Sequence, residues 1–401
     1  MKQFDFLRTP KVLFGEGAIE KLGSMARQFG SNVLLVHGKH SFVSSGCRDL
    51  VIKSLLDNDL SFFEYEIPSE PSPQLIDEAI RTFGECIVNC VIAVGGGSVL
   101  DSGKAISAML PLRGNVIEYL EVVGFKKTDG KKVPFIAVPT TSGTGSEATS
   151  NAVISKIGLN GFKCSLRHEN YIPDIAIIDP GLALSCPPQI TAACGMDTLT
   201  QLIEAYVSPK ASMMTDSLIE KVMPLVKTSL VNAIKQGDRN IDARSSMAYA
   251  SFISGVVLSN AGLGVVHGIA SILGAAYPIP HGVVCGTLLA PATKININKI
   301  LRESPGSSSH SKYVNIARMI TGSHSSDYKG LCEKLIDELE SLTTCTGVKT
   351  FSDYGVNPDH FDFLLNNQNC NKNNPVQLTT DEILELISYR TNVNLHNRTN
   401  Q

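Results

Sequence analysis

Two histidines, His267 and His281, sit in HGIASILGAAYPIPHG, inside a stretch from Ser245 to Thr293 that contains no Lys, Arg, Asp or Glu. A buried polar group without a partner costs roughly 1–3 kcal/mol, so paired imidazoles in an uncharged segment point to a ligand or a metal. A third group comes from ITAACGMDTLTQLIEAYVS (190–208), whose periodicity is helical. Asp197 is expected near the start of that helix and shares a face with Gln201, four residues on. It either caps the helix by accepting backbone amides or joins His267 and His281 in an N/O set suited to zinc or ferrous iron. Three protein donors leave a position open for substrate, which is catalytic rather than structural metal chemistry.

Two further segments suit a polar ligand. GGGSVLDSGKAIS (95–107) directly follows the apolar run CVIAV. Its glycines permit close backbone approach, and Ser98 is placed to cap a helix whose N-terminus suits a phosphate. The plainer reading is a tight turn, since the motif is neither GxGxxG nor a Walker A pattern. PTTSGTGSEATSNAVIS (139–155) also follows an apolar run and offers a row of hydroxyl donors. It is either a solvated loop or the second wall of a crevice at the carboxyl ends of strands.

These groups must be held by elements of two kinds. NVLLVHG (32–38), CVIAVGGG (90–97), PFIAVPTT (134–141) and DIAIIDP (174–180) are short β-branched runs ending in Gly, Pro or Thr, as buried parallel strands do at their C-terminal loops. Beyond residue 182 such runs are scarce and helical periodicity dominates, as in residues 217–235 and 380–390. The expected architecture is an α/β dinucleotide-binding domain over residues 1–182 and an α-helical metal-binding and substrate domain over 183–401; the alternative is one α/β domain with insertions. ESPGSSSH (303–310) reads as an exposed loop between helices.

Composition narrows the partners. With 401 residues, 43% of them hydrophobic, the chain can bury a large core, and a net charge of −3 without charge runs gives no reason to expect nucleic acid or an anionic membrane surface. A small-molecule substrate is expected. The N-terminal MKQFDFLRTP lacks an apolar signal core, and the uncharged segment is broken by Gly, Pro, Asn and His, which favours buried helices over a membrane span. Ten cysteines without CxxC spacing suit reduced thiols in a cytoplasm.

Taken in order, GGGSVLDSGKAIS, PTTSGTGSEATSNAVIS, DPGL (179–182), GMDTLTQLIEAY and HGIASILGAAYPIPHG, with FGEGAIEKL near the start and NNP at 373–375, resemble the iron-containing (metal-dependent, group III) alcohol dehydrogenase family over nearly the whole chain. The resemblance implies a dehydroquinate synthase-like fold, an NAD(P)-dependent alcohol dehydrogenase or aldehyde reductase activity, and a homodimer. It implies that Gly96, Gly97 and Ser98 hold the pyrophosphate, with Asp101 toward the nicotinamide. It further implies that Thr140, Thr141 and Thr144 line the cofactor cleft, that Lys163 reaches a ribose and that Leu182 walls the adenine. Asp197, His267 and His281 match three of the family's four usual metal ligands. Gln201 stands where the fourth is commonly histidine and is a weak neutral donor at best, so the single divalent ion is Fe2+ or Zn2+. Ser271 replaces the second histidine of HGxxH and with it a proton relay. Cys285, four residues after His281, is either an added thiolate donor or a buried structural cysteine. Glu70 stands where the family often has Asn.

Cofactor choice in this family turns on the end of the second strand, where an Asp commonly selects NAD by repelling a 2′-phosphate. Here that position is Gly38, followed by Lys39, His40 and Ser41. These residues either form a solvated turn or receive the phosphate, and the expectation is NADP(H) in preference to NAD(H). A dehydroquinate synthase-like lyase, or a degenerate nucleotide-binding protein without catalysis, would share the fold.

Overall fold

The computed structural model describes residues 3–365 and 370–389. The apolar runs form strands: β1 (Lys11–Phe14), β2 (Asn32–Gly38), β3 (Ser61–Ile67), β4 (Cys90–Gly95), β5 (Phe135–Pro139), β6 (Asn151–Lys156), β7 (Phe162–Arg167) and β8 (Ile175–Ile178). Six make one parallel sheet in the order β1-β8-β5-β4-β2-β3, and β6 and β7 form a separate antiparallel pair. Alternation along the strands divides the core between the two faces of the sheet. Leu34, Val36, Val91, Ala93 and Phe135 pack on one face, and Val33, Leu35, Ile92, Val94 and Ile136 on the other.

β1 and β3 are the two edges of the sheet, and most of their side chains are not buried, unlike those of the interior strands. The four interior strands expected from sequence appear at the expected places. The β4 segment ends at Gly95, and a helix opens at Gly97. From β2 the chain builds toward β3, then crosses to β4 and builds the other way through β5 and β8. The order reverses between β2 and β4, and the crevice at the carboxyl ends of these strands is where such sheets bind ligands.

After Ile178 no strand occurs among the described residues. Helices span Pro188–Val207, Met213–Gln236, Ile241–Ala261, Val265–Ala276, His281–Glu303, Ser308–Thr321, Tyr328–Cys345 and Thr380–Ser388. The segment 217–235 lies within the second of these, which Ser212 and Thr215 start with a reciprocal capping box. The last helix ends at Ser388, and Arg390 lies outside the described residues. Within the 303–310 segment only residues 304–307 form the turn between helices, and Ser308–His310 already open the second of them. No single described helix is long and apolar enough to cross a membrane. The uncharged segment instead supplies the Ile241–Ala261 and Val265–Ala276 helices, bent by 100° where they meet, with most of their side chains buried in the helical core.

Candidate active site

The Pro188–Val207 helix is buried on most of its circumference, with Met196, Leu199, Leu202 and Ile203 in the core. Asp197 lies in the middle of this 20-residue helix rather than near its start. Its carboxylate is therefore beyond the reach of the free amides of the first turn, and the capping alternative falls. Instead it meets the two histidines. His267 Nε2 stands 3.2 Å and His281 Nε2 3.7 Å from Asp197 Oδ1. His267 belongs to the first turn of the Val265–Ala276 helix and His281 opens the His281–Glu303 helix. A side chain at Gly282 would run into the backbone of Ala193, about 2.1 Å from its oxygen, so the missing Cβ lets the two helices close and brings His281 to Asp197.

Sequence reading missed Glu204, seven residues and two turns beyond Asp197 on the same helix face. Glu204 accepts from the backbone amide of Val266 at 2.7 Å and from His267 Nδ1 at 2.7 Å. One carboxylate thus satisfies the opening of a helix and fixes which nitrogen of His267 faces Asp197. The available signal was the i, i+7 spacing of two acids in an otherwise apolar helix.

Cys285 completes the cluster. One donor atom from each of Asp197, His267, His281 and Cys285 lies within 4.8 Å of the other three. Gln201 is buried on the same helix, but its Oε1 accepts the Ser254 hydroxyl at 2.6 Å. Burial opposes the Asp197 charge, but His281 and His267 outweigh it and hold the carboxyl below its usual range. Burial likewise opposes charge on His267, where Cys285, Asp197 and Glu204 prevail and raise it well above an ordinary imidazole. His281 is pushed down to about 3 by burial, partly offset by Asp197 and reinforced by Lys163 and His267. Burial lifts the Cys285 thiol to about 12. A carboxylate and a neutral imidazole side by side, with a second imidazole oriented by its own carboxylate, could together hold a divalent metal.

Asp197, Gln201, His267 and His281 line one end of a cleft of about 1360 Å³ that runs between the sheet and the helices. Its other end is the crevice beside β2 and β4. Gly96, Gly97, Ser98, Asp101, Thr140, Thr141, Thr144, Lys163 and Leu182 all line it. The Gly97–Leu112 helix is entered through Gly96 without a side-chain cap, so Ser98 stands inside the first turn and is not the cap expected of it. A Cβ at Gly97 would lie 2.6 Å from Thr144, which explains why the backbone there can come so close to the Ser/Thr loop. Asp101 faces the cleft while accepting from the Ser146 hydroxyl and from Val153 N, so it also fastens β6 to the crevice. The buried Lys104 does the same from below, donating to Ser146 O, Thr149 Oγ1 and Asn151 O at 2.7–2.8 Å. Lys163 Nζ is held 3.2 Å from Glu70 Oε2, which the Ser155 hydroxyl also approaches.

At the end of β2, His40 and Ser41 line the cleft, whereas Gly38 and Lys39 are not among its lining residues. Lys39 is half exposed, with its ammonium 3.7 Å from Glu66. Ser271 lines the cleft and donates to the His267 carbonyl at 3.0 Å.

The family model described as iron-containing alcohol dehydrogenase matches residues 9–180, and that of the C-terminal part of the same family matches residues 191–391. An NAD-dependent methanol dehydrogenase of Bacillus methanolicus is 30% identical over 390 residues, covering 96% of this chain and 98% of that protein. Among solved structures, an alcohol dehydrogenase from Oenococcus oeni superposes with a TM-score of 0.86 at 29% identity, over 97% of this chain and all of that one. A sulfoacetaldehyde reductase from Bifidobacterium kashiwanohense in complex with NAD+ does so with a TM-score of 0.83 at 25% identity, over 98% of this chain and all of that one.

Proposed function

The chain belongs to the iron-containing alcohol dehydrogenase family, and from that premise we propose that Asp197, His267 and His281 hold its divalent metal at the substrate end of the cleft. The protein is an oxidoreductase that moves a hydride between a nicotinamide dinucleotide and a small alcohol or aldehyde; the lyase alternative is not favoured. The observation that carries the site assignment is the convergence of these three side chains at one end of a cleft whose other end is the Gly96–Ser98 turn.

When bound, the metal supplies a Lewis acid for the substrate oxygen and the nicotinamide supplies or takes the hydride. The chain's own residues arrange the encounter. Glu204 fixes the His267 ring, and Asp197 supplies the anionic donor. The opening amides of the Gly97–Leu112 helix receive the pyrophosphate, which the Thr141 and Thr144 hydroxyls flank. Leu182, buried at the sheet end of the cleft, packs against the adenine. The burial of Asp197 keeps bulk water from its charge and strengthens its pull on a cation. Ser271 gives its proton to a backbone carbonyl, so protons travel through water or a ribose hydroxyl rather than through residue 271. His310, on the Ser308–Thr321 helix, is not among the residues that line the cleft.

For the cofactor, Gly38 places no carboxylate against a 2′-phosphate, and His40 and Ser41 offer it donors. Lys39 lies 3.7 Å from Glu66, a methanol dehydrogenase among the relatives is named NAD-dependent, and a structural neighbour was solved in complex with NAD+. The expected preference for NADP(H) therefore reduces to the proposal that the cleft admits both forms. The ten cysteines, all unpaired, support a reducing cytoplasmic location, which cell fractionation checks.

The test is elemental analysis of the purified protein together with oxidation of NADH and NADPH in the presence of short aldehydes. One metal per chain and turnover that disappears in Asp197→Asn are expected. Turnover without metal would refute the assignment.

A further inference from the structure

We propose that Cys285 supplies the fourth ligand of the metal site as a thiolate, a donor that Gln201 does not provide. This rests on the reading of Asp197, His267 and His281 as metal ligands and says what completes them.

The first observation is the spacing of the donor atoms. In a tetrahedron with metal–nitrogen or metal–oxygen bonds of about 2.05 Å, two such donors lie about 3.3 Å apart, and with a metal–sulfur bond of about 2.3 Å a sulfur lies about 3.6 Å from either. Asp197 Oδ1 is 3.2 Å from His267 Nε2 and 3.7 Å from His281 Nε2. Cys285 Sγ is 3.8 Å from His267 Nε2 and 3.7 Å from His281 Nε2. Four edges thus fall within a few tenths of an ångström of the tetrahedral values. A cysteine serving only as apolar filling has no reason to place its sulfur almost equally far from two imidazole nitrogens that both face a carboxylate.

The second observation is where each donor sits. Cys285 is fully buried one turn after His281 on the same helix face and is not a lining residue of the cleft, whereas Asp197, His267 and His281 are. With the sulfur at the back and four protein donors filling the tetrahedron, substrate would enter from the cleft side as a fifth ligand, the expansion that catalytic zinc sites undergo. Gln201 lines the cleft, but the Ser254 hydroxyl occupies its oxygen.

On metal binding the S–H proton leaves to water as the sulfur–metal bond forms, without any redox change. Thiolate and carboxylate together balance the dication. A sulfur donor also shifts the site toward zinc over metals that prefer oxygen ligands.

The test is X-ray absorption at the zinc edge, with cobalt(II) substitution as a second probe. Wild-type protein loaded with Zn2+ is expected to show one sulfur at about 2.3 Å beside shorter nitrogen and oxygen neighbours. The cobalt form is expected to show a thiolate-to-metal charge-transfer band. Cys285→Ser should lose both signals and bind zinc at least ~10-fold more weakly, since loss of even an outer partner of a ligand costs roughly 10–100-fold. Gln201→Leu should keep both signals, which also shows that the fold tolerates a change beside the site. Bound zinc without a sulfur neighbour would overturn the role of Cys285 while leaving the three-ligand reading intact. A chain that retains no metal at all would overturn both.

Discussion

Glu204 holds His267. Its carboxylate accepts from His267 Nδ1 at 2.7 Å, which leaves Nε2 to face Asp197 at 3.2 Å. The same carboxylate accepts the amide of Val266, so the ring is fixed to the helix start from which it projects. Glu204→Gln is expected to weaken metal binding roughly 10–100-fold, because a neutral amide neither orients the ring as firmly nor raises its basicity. Competition with a chromophoric chelator reads the affinity. An unchanged dinucleotide dissociation constant would show that the loss is confined to the metal end of the cleft.

Removal of the metal is expected to abolish turnover and leave the dinucleotide site in place. The cradle proposed for it, the Gly97–Leu112 helix with the Ser/Thr loop, lines the same cleft but shares no residue with Asp197, His267 and His281. After dialysis against a chelator, activity should return on adding Zn2+ or Fe2+ in stoichiometric amount. Asp197→Asn should resist this rescue, since it removes the one carboxylate among the donors.

Gly38→Asp is expected to raise the KM for NADPH by about tenfold or more, with little effect on NADH, by restoring a carboxylate that repels the 2′-phosphate. A Cβ at residue 38 would meet Ser41 Oγ at 3.0 Å, so that hydroxyl must turn slightly to admit it. Lys39→Ala should leave both constants nearly unchanged because Lys39 is paired with Glu66. Steady-state kinetics with both cofactors decide the matter.

Ser271→Ala is expected to keep most of the turnover. The hydroxyl donates to the His267 carbonyl one turn back, a bond worth about 1 kcal/mol or less at an exposed site. A large fall in kcat, with an altered solvent isotope effect, would assign a relay to residue 271 after all.

Lys104 gives a pH signature in stability. Burial lowers its pKa to about 8, against the opposing charges of Asp101 and Glu147. Between about pH 8 and 10.5 the unfolded chain therefore binds more protons than the native one, and native stability rises with pH across that window, by at most about 3 kcal/mol. Below pH 8 both states hold the proton and the contribution is flat. Lys104→Met removes the ammonium donor shared by Ser146 O, Thr149 Oγ1 and Asn151 O, at a cost of about 1–3 kcal/mol. Its deficit against the wild type should widen between pH 7.5 and 9.5 in denaturant titrations.

The sequence by itself determined the local elements and the chemistry on offer. Interior strands were legible because both of their faces are covered, which forces continuous β-branched runs in β2, β4, β5 and β8. The edge strands β1 and β3 were not, since an exposed face removes that pattern. Five ordered motifs carried the family, and His267, His281 and Asp197 were legible as polar groups within apolar helices. Tertiary structure decided how these groups meet. Whether Asp197 capped a helix or faced a cation depended on its place within the Pro188–Val207 helix, a matter of a few residues at a boundary that periodicity does not mark. Lys39 read as a phosphate donor, and only the fold sets its ammonium beside Glu66 on the neighbouring strand β3. Glu204 and Cys285 gained their meaning only from helices 60 residues and more apart in sequence, or a turn apart on one of them, closing on the same point. Distances between side chains on different helices are set by packing, and no spacing within a single chain segment encodes them.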